Sequence, residues 1–291
     1  MRKVCGAVFS VLVLIGTALA AQETIRLWPD LAPGETQKIR VEQNAGAISE
    51  LTDPVLLVFR PENKTSDAAV VIFPGGGYDV CYYGNEGIPN ARWWNERGVT
   101  AFVLLYRVPR QAGRPICERA RQDAMRGVRI VRSRAGEFGI DPEKIGAEGY
   151  SAGGNLTLQA AVNSQTPAYE PIDEIDQTPC HLNFAIAVYP AYVLDDGAIG
   201  PNEHQGEGAL MLETLTFDAK TPPICLIHGD ADIYSPLGSI EVYRRLRTLG
   251  IKAELHIYTG APHGFMFWDD LPNARSWHDR SCDWIQALGI Y

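Results

Sequence analysis

One serine in this sequence stands among small residues in a pattern that suits a nucleophile. Ser151 lies between Gly149 and Gly153 in the stretch GYSAG, at the end of the apolar run KIGAEG and before a run with helical character. A sharp strand-to-helix turn strains the backbone at its serine, and flanking glycines remove side chains that would collide. A flexible linker has a similar composition, but the strand and helix patterns abut the turn directly. The pattern predicts that Ser151 is presented as a nucleophile above a sheet.

A serine hydroxyl attacks well only when a base takes its proton, so a base and an orienting acid are expected downstream. The run AELHIY is followed by TGAPHGF, which contains His263, and the run ICLIH is followed by GDAD, which offers Asp230 and Asp232. The order serine, acid, histidine is met, with each residue after a strand. Loops after parallel strands open on one edge of the sheet, where these groups are expected to meet. The other histidines lie within predicted strands (His228, His256) or lack a strand-end setting (His181, His204, His278).

A second glycine-rich segment follows another strand-like run. In VIFPGGGY, residues 75–77 are glycines, which let backbone amides approach a substrate oxygen closely. The amide of Ala152 would add a donor at the start of the helix after Ser151. A phosphate-binding loop is the alternative, but no Gly-Lys-Ser/Thr follows. The segment predicts donors for a developing oxyanion.

Strand-like and helical patterns alternate from residue 69 onward. A helix is predicted over residues 118–138, with an apolar stripe, and another over residues 153–162. The near-continuous apolarity of the strands suits a parallel sheet buried on both faces, so the fold class is α/β with helices on both sides. ETIRLW and PVLLVF are predicted to be further, antiparallel strands. The parallel strands are predicted at AVVIF, TAFVLLY, KIGAEG, FAIAVY, ICLIH and AELHIY.

Two segments of the sequence each allow two interpretations. The helix over residues 118–138 has five arginines off its apolar stripe, which suggest either an anion site or, as we favour, a solvated face. Residues 191–223 form a long Gly-rich and acidic insertion between strands, either a lid or substrate loop or a packed surface excursion. The arginines are Arg121, Arg126, Arg129, Arg132 and Arg134.

The first 20 residues have the order of a secretory signal peptide: Arg2 and Lys3, an apolar run, and ALA ending at Ala20. Cleavage there predicts a secreted or periplasmic protein with one domain over residues 21–291, and the run is short for a membrane span. The net charge of −9 without a basic run argues against nucleic-acid binding and against binding to an anionic membrane. No metal-ligand spacing is apparent, and neither a metal nor another cofactor is expected. Cys81 and Cys117 both follow strand ends and are a candidate disulfide pair.

These motifs together resemble the α/β-hydrolase superfamily over about residues 55–288. More narrowly, the chain is similar to bacterial carboxylesterases related to hormone-sensitive lipase and to acetylesterases found beside xylan-degrading enzymes. The resemblance implies Ser151 as nucleophile, His263 as base and Asp232, rather than Asp230, as acid. Its matching segments are FPGGGY, YRVPR, the long run ending GYSAGGN, PPICLIHGDAD and AELHIYTGAPHGF. It places the oxyanion donors at Gly76, Gly77 and Ala152.

One departure from the lipase-like pattern bears on the substrate. Pro74 stands where lipase-like members carry the histidine of His-Gly-Gly-Gly, and a proline there is typical of acetylesterase members. We therefore expect a secreted serine esterase acting on short-chain, foremost acetyl, esters of a small molecule or a carbohydrate such as acetylated xylan. Tyr78, Tyr82 and Phe265 are candidates for its substrate pocket.

Three other functions remain to be weighed. A secreted peptidase of the prolyl-oligopeptidase kind has the same order of groups, although only about fifty mature residues precede AVVIF, where such enzymes usually carry a large domain. A glycosidase needs two opposed carboxylates, and no such pair stands out. A non-catalytic carbohydrate-binding hydrolase fold would have no need of all three catalytic groups.

Overall fold

The computed structural model describes residues 23–44, 46–195, 210–267 and 270–291. Its strands are β1 (Glu23–Arg26), β2 (Arg40–Asn44), β3 (Ala47–Leu51), β4 (Val55–Phe59), β5 (Ala69–Phe73), β6 (Thr100–Leu105), β7 (Ile145–Tyr150), β8 (Phe184–Val188), β9 (Leu194–Asp195), β10 (Leu210–Met211), β11 (Ile224–Gly229) and β12 (Ala253–Tyr258). Its α-helices are α1 (Ile88–Glu96), α2 (Glu118–Ser133), α3 (Ala135–Phe138), α4 (Ala152–Val162), α5 (Leu237–Thr248) and α6 (Trp277–Ala287).

Eight strands form one sheet in the order β1-β4-β6-β5-β7-β8-β11-β12. The pairs β1–β4 and β4–β6 are antiparallel, and every pair from β6 to β12 is parallel. Strands β5, β6, β7, β8 and β11 are buried along their whole length, as their continuous apolar sequences predict. The α/β fold class is confirmed, including the two antiparallel strands that lead into the sheet.

Helices cover both faces of the sheet, as β7 demonstrates. The side chain of Glu148 accepts hydrogen bonds from Trp94 of α1 and His278 of α6. A side chain at the next residue, Gly149, would instead meet α4 at Thr157. Because neighbouring residues of a strand point to opposite faces, α1 and α6 lie on one face and α4 on the other.

The arginines of α2 do not form a solvated face, so that prediction is wrong. The side chains of Arg126 and Arg132 are only 1% and 7% exposed. Arg126 pairs with Asp173 and Asp176, while Arg132 donates to the Pro179 carbonyl at 2.8 Å. A guanidinium carries five donors, which suits it to fastening an irregular loop whose carbonyls lack strand partners. The arginines of α2 hold the segment between α4 and β8.

The proposed pairing of Cys81 with Cys117 is wrong as well. The five cysteines of the described residues are all free thiols, and all are buried. Cys81 exchanges backbone hydrogen bonds with Ile48, whereas Cys117 lies at the start of α2. Burial raises the pKa of the Cys117 thiol to about 11, so the thiol stays protonated and packs as a small apolar group.

Two sequence predictions concern residues outside the described ranges. The signal peptide over residues 1–20 lies before the first described residue, and residues 196–209 make up the middle of the 191–223 insertion. The described ends of that insertion pair as β9 and β10, with Leu194 opposite Met211. None of the helices in the described ranges is long and apolar enough to cross a membrane.

Candidate active site

Ser151 sits in the strained turn that its neighbours predict. It follows β7 and precedes α4, and its backbone has φ 55° and ψ −118°. A Cβ on Gly149 would lie 2.1 Å from the Gly153 carbonyl oxygen, and a Cβ on Gly153 would lie 1.9 Å from the Phe73 carbonyl oxygen. Only glycine fits at either position, because backbone atoms cannot move aside as a flexible side chain can. The turn brings the Ser151 hydroxyl to the carboxyl edge of the sheet.

His263 lies on the loop after β12 and reaches Ser151 across the sheet edge. Its Nε2 is 2.8 Å from Ser151 Oγ, and its Nδ1 is 2.9 Å from both Asp232 carboxylate oxygens. A carboxylate only accepts, so Nδ1 carries the proton and Nε2 is left to accept the serine proton. The arrangement can move a proton from a hydroxyl to an imidazole.

Asp232 is held for this contact from several sides. It is 9% exposed and accepts the backbone N–H of Tyr234 at 2.7 Å. Burial by itself would raise the pKa of Asp232, but its contacts with His228 and His263 hold the pKa below the usual value. The carboxylate is therefore ionised at neutral pH. Asp230 is exposed, and its side chain accepts from the Gly260 amide instead.

His228 is a packed histidine, as its place within a strand suggests, and it also borders this site. Its Nδ1 is 2.8 Å from Ser239 Oγ, and its Nε2 is 3.0 Å from the Tyr234 carbonyl and 3.4 Å from Asp232 Oδ2. Since a carbonyl only accepts, Nε2 carries a proton that faces the carboxylate. The structure thus adds a second imidazole beside Asp232.

The glycine loop after β5 faces Ser151. Gly76 and Gly77 have φ of 123° and 66°, and a Cβ on Gly76 would lie 2.0 Å from the Val80 carbonyl oxygen. In the described part of the chain, the backbone N–H groups of Gly76 and Gly77 have no intramolecular acceptor. Ala152 is the first residue of α4, where an N–H group has no partner within the helix. The three amides predicted for the oxyanion all belong to segments that adjoin Ser151.

The three predicted pocket residues lie in different surroundings. Tyr78 is 1% exposed and donates its hydroxyl hydrogen to Asn155 Oδ1 at 2.7 Å. Phe265 is 2% exposed and packs against Tyr189. Tyr82 is 42% exposed and lies beside Gly76. Tyr82 therefore borders the open side of the site, whereas Tyr78 and Phe265 are part of the core beneath it.

Other groups around His263 were not singled out from the sequence. The ring centroids of Tyr189 and Tyr234 lie 5.0 Å and 4.8 Å from that of His263. Glu86, beyond Tyr189, is buried and hydrogen-bonded to the Tyr189 hydroxyl at 3.0 Å. Tyr189 directly follows β8, so its strand-end position was a usable signal; Glu86 lies in a single turn of π-helix before α1 and had none.

A cleft of about 440 Å³ lies beside the loop that carries His263, and Met266 and Phe267 of that segment line it. Phe267, four residues after His263, stands at its edge and is 50% exposed. Of the large apolar side chains exposed in the described residues, the two aromatic ones, Tyr82 and Phe267, both lie on the segments around this site. The cleft lining includes Asn85, Asn90, Trp93, Phe267, Arg275 and Trp277. It combines aromatic rings with amide and guanidinium donors.

The floor of this cleft is a stack of flat rings. His278 lies between Trp93 and Trp277, with ring centroids 3.5 Å and 4.2 Å away. The Arg97 guanidinium covers the Trp93 ring at 3.4 Å. The faces of these rings cover one another, so the stack is a rigid support beneath the cleft rather than an open aromatic surface.

The amino-acid sequence is similar to those of known proteins. A sequence profile of the prolyl oligopeptidase family matches residues 118–288. The acetylxylan esterase of Xylanibacter ruminicola is 31% identical over 226 residues, which cover 73% of this chain and 44% of that protein. This chain thus spans less than half the length of that relative.

Two solved structures share the fold over most of the chain. The acetyl ester-xyloside bifunctional hydrolase of Caldicellulosiruptor lactoaceticus superimposes with a TM-score of 0.74 at 23% identity, covering 94% of this chain and 99% of that one. A propionate-bound esterase of Thermogutta terrifontis gives a TM-score of 0.66 at 25% identity, covering 82% of this chain and 90% of that one.

Proposed function

The chain belongs to the prolyl oligopeptidase family of the α/β-hydrolase superfamily, and we propose that it is a serine esterase acting on short-chain, foremost acetyl, esters of carbohydrates. The observation that carries the proposal is the continuous contact from Ser151 through His263 to Asp232, at 2.8 Å and 2.9 Å. Export of the protein by the predicted signal peptide is part of the same proposal. A secreted enzyme would meet its acylated polysaccharide outside the cell.

The first half of the reaction forms an acyl-enzyme. Ser151 Oγ bonds to the ester carbonyl carbon while its proton passes to His263 Nε2, and the ionised Asp232 stabilises the imidazolium that results. The carbonyl oxygen becomes an oxyanion, which accepts hydrogen bonds from the amides of Gly76, Gly77 and Ala152 in this proposal. The carbon–oxygen bond to the leaving alkoxide then breaks, and His263 Nε2 returns its proton to that oxygen.

The second half releases the acid. Water loses a proton to His263 Nε2 as its oxygen attacks the acyl carbon, and a second oxyanion forms at the same amides. Collapse of that intermediate breaks the bond to Ser151 Oγ, which regains its proton from His263. The products are a carboxylic acid and an alcohol, and the enzyme returns to its starting state.

Several features support a carbohydrate as the alcohol. The cleft beside the site has an open aromatic ring at its edge, Phe267, which is suited to packing against the apolar face of a pyranose ring. The exposed side-chain amide of Asn85 is of the kind that binds hydroxyls, whereas Asn90 is buried and already donates to the Glu86 carbonyl at 2.9 Å. The similarity to an acetylxylan esterase points to the same class of substrate.

The direct test is product release by the purified protein. We expect acetate release from both 4-nitrophenyl acetate and acetylated xylan, with kcat/KM on acetate esters at least tenfold above that on octanoate esters, because the buried side chains of Tyr78 and Phe265 fill space beneath the site that a long acyl chain would need. Acetate release is measured by an enzyme-coupled assay and chain-length preference with 4-nitrophenyl esters. Release from the small ester alone would retain the esterase and reject the polysaccharide substrate.

Peptide hydrolysis is the second candidate, and the family match over residues 118–288 is what favours it. The same groups would cleave an amide, with an amine as leaving group. A proline-containing peptide 4-nitroanilide assayed alongside the esters separates the two functions. Since an amide is intrinsically much less reactive than a 4-nitrophenyl ester, amide cleavage with an equal kcat/KM would identify the peptide as the preferred substrate and reject the esterase as the main function.

The cleft gives a prediction about selectivity. Replacing Phe267 by alanine is expected to lower kcat/KM on acetylated xylo-oligosaccharides about fivefold more than on 4-nitrophenyl acetate, since a ring contact contributes on the order of 1 kcal/mol. The matched control is Ile172→Ala, which removes an apolar side chain that is 48% exposed on the segment between α4 and β8. An equal loss of kcat/KM on both substrates, or an equal change of selectivity in the control variant, would show that the sugar does not bind in this cleft.

A further inference from the structure

A second buried carboxylate lies against the proposed catalytic groups. Glu86 is 6% exposed and belongs to the turn of π-helix at Tyr83–Gly87, which leads into α1. Its Oε2 accepts the backbone N–H of Gly75 at 2.6 Å, and its Oε1 accepts the hydroxyl of Tyr189 at 3.0 Å. A Cβ on Gly75 would lie 2.6 Å from Glu86 Oε2 and 3.0 Å from Ser151 Cβ. The carboxylate therefore reaches the glycine loop within a few ångströms of the nucleophile.

The contact with Gly75 bears on the direction of the neighbouring amides. Gly75, Gly76 and Gly77 are consecutive, and the Gly75 amide turns inward to Glu86 while the next two have no acceptor within the described residues. The Gly75 carbonyl in turn accepts from the Tyr82 amide at 3.1 Å, and the Glu86 amide donates to the Tyr82 carbonyl at 3.0 Å. The glycine loop and the π-helical turn thus hold each other, and glycine residues by themselves would hold no fixed orientation.

The negative charge of Glu86 also interacts with His263, the proposed base. Tyr189 stands between the Glu86 carboxylate and the His263 ring, whose centroid is 5.0 Å from that of Tyr189. Burial raises the pKa of Glu86, opposed by its bonds to Gly75 and Tyr189 and by the charge of His263. Four other titratable groups of the described residues interact electrostatically with Glu86. Burial raises the pKa of each, so all four stay neutral at pH 7: Cys81, Tyr106, Tyr150 and Tyr189. His263 is the cation that this carboxylate can stabilise.

We propose that Glu86 is a positioning residue, which fixes the oxyanion loop through Gly75 and supports the imidazolium form of His263 through Tyr189. The inference rests on the proposed acyl-transfer chemistry and holds whether the leaving group is an alkoxide or an amine. The oxyanion amides must be oriented before the reaction, because reorienting them in the transition state would raise the barrier. A charged acceptor at Gly75 holds that orientation more firmly than a neutral one.

Two substitutions separate the contact from the charge. Glu86→Gln keeps the length of the side chain and its acceptor for the Gly75 amide, removes the charge, and turns the other oxygen into an NH₂ donor, which the Tyr189 hydroxyl can accept. Glu86→Asp keeps the charge and withdraws it by one methylene from Gly75. The readouts are kcat and KM on 4-nitrophenyl acetate and the rate at which a fluorophosphonate labels Ser151 between pH 5 and 9. Labelling needs the serine, the base and the oxyanion amides but no ester substrate, so it reports on Glu86 independently of the esterase proposal.

We expect Glu86→Gln to lower kcat and the labelling rate about tenfold with KM within twofold of wild type. The pH of half-maximal labelling should fall, because the imidazolium loses a stabilising negative charge. Glu86→Asp should lose a similar factor in rate with the half-maximal pH close to wild type. Wild-type rates and an unshifted pH profile in Glu86→Gln would overturn the proposal.

Asp176 is a matched control. It too is a buried carboxylate that accepts one tyrosine hydroxyl, from Tyr169 at 2.6 Å, and one backbone amide, from Ile172 at 2.8 Å. It lies between α4 and β8, at the edge of the sheet away from Ser151, and also pairs with Arg126 at 2.9 Å. Burial would raise the pKa of Asp176, but these hydrogen bonds hold it below the usual value.

The opposite pKa directions predict opposite effects on stability. Since the pKa of Glu86 is raised on folding, its ionised form at neutral pH opposes folding, and Glu86→Gln should leave Tm unchanged or raise it. Ionised Asp176 supports folding at neutral pH, and that support is lost as the pH falls; Asp176→Asn should therefore lower Tm by several degrees and leave the pH of half-maximal labelling unchanged. A fall in Tm for Glu86→Gln as large as that for Asp176→Asn would assign Glu86 a structural role only.

The outcomes for the two proposals are distinguishable. Wild-type protein that is labelled by the fluorophosphonate but releases no acetate rejects the esterase, while the labelling rates still decide the role of Glu86. Wild-type protein that is not labelled at all rejects the acyl-transfer chemistry, and the role of Glu86 falls with it.

Discussion

Replacement of Ser151 by alanine is expected to remove ester hydrolysis, lowering kcat by at least about 10³-fold. The reason is that Ser151 Oγ is the atom 2.8 Å from His263 Nε2, at the turn where φ is 55°. Without it no acyl-enzyme forms. The measurements are kcat on 4-nitrophenyl acetate and the mass of the protein after a short incubation with a slowly hydrolysed ester.

The control for this variant is a serine elsewhere in the core. Ser164 lies just beyond α4, is 6% exposed and donates a hydrogen bond to the Asp218 carboxylate. Ser164→Ala therefore removes a buried hydroxyl and leaves Ser151 in place. It should keep its kcat within about threefold. Hydrolysis by Ser151→Ala at more than a few per cent of the wild-type rate, or an acyl group carried on another residue, would exclude Ser151 as the nucleophile.

Replacement of Asp232 by asparagine is expected to lower kcat at pH 7 by about 10³- to 10⁴-fold. Both Asp232 oxygens are 2.9 Å from His263 Nδ1 and hold its proton there. An asparagine NH₂ group turned toward Nδ1 would donate to it, which moves the ring proton to Nε2 and turns a donor toward Ser151. The base is then in the wrong tautomer, and the imidazolium loses its counter-charge.

Asp230→Asn is the comparison that makes this test specific. Asp230 lies two residues away on the same loop, but it is exposed and accepts from the Gly260 amide, a bond that an asparagine carbonyl can keep. Its kcat should stay within about threefold of wild type. A greater loss in Asp230→Asn than in Asp232→Asn would reverse the assignment of the acid, which rests on the family resemblance as well as on the geometry.

The sequence predicted the strands of the central sheet better than the contacts between segments that are far apart in the chain. Strands such as β5 and β8 were evident because a bounded run of five apolar residues is typical of a buried parallel strand. The β2–β3 pair was not predicted, since β2 is exposed along its whole length and has a single apolar residue, Val41. The arginines of α2 were assigned to solvent because their partners, the carbonyls of residues 163–179, lie far along the chain and have no side-chain signature.

The same difference separates two residues of the candidate site. Gly149 was recognised from its sequence because the reason for it is local: a Cβ there would lie 2.1 Å from the Gly153 carbonyl oxygen of the same turn. Glu86 was not recognised, because its partners Gly75 and Tyr189 follow two different strands and meet it only in the folded chain. A glutamate in the stretch YYGNEG resembles any surface residue until burial and hydrogen bonds are known.

The sequence by itself determined the α/β fold class, the turn around Ser151 and the order in which a serine, an acid and a histidine follow their strands. These depend on local backbone conformation and on apolar patterns along consecutive residues, which no distant contact has to complete. The tertiary structure decided that Asp232 rather than Asp230 faces His263, that Tyr78 and Phe265 are buried while Tyr82 is open, and that Glu86 reaches the glycine loop. Each of these depends on the direction of a side chain across a sheet edge, and that direction is set by the packing of segments that are far apart in the chain.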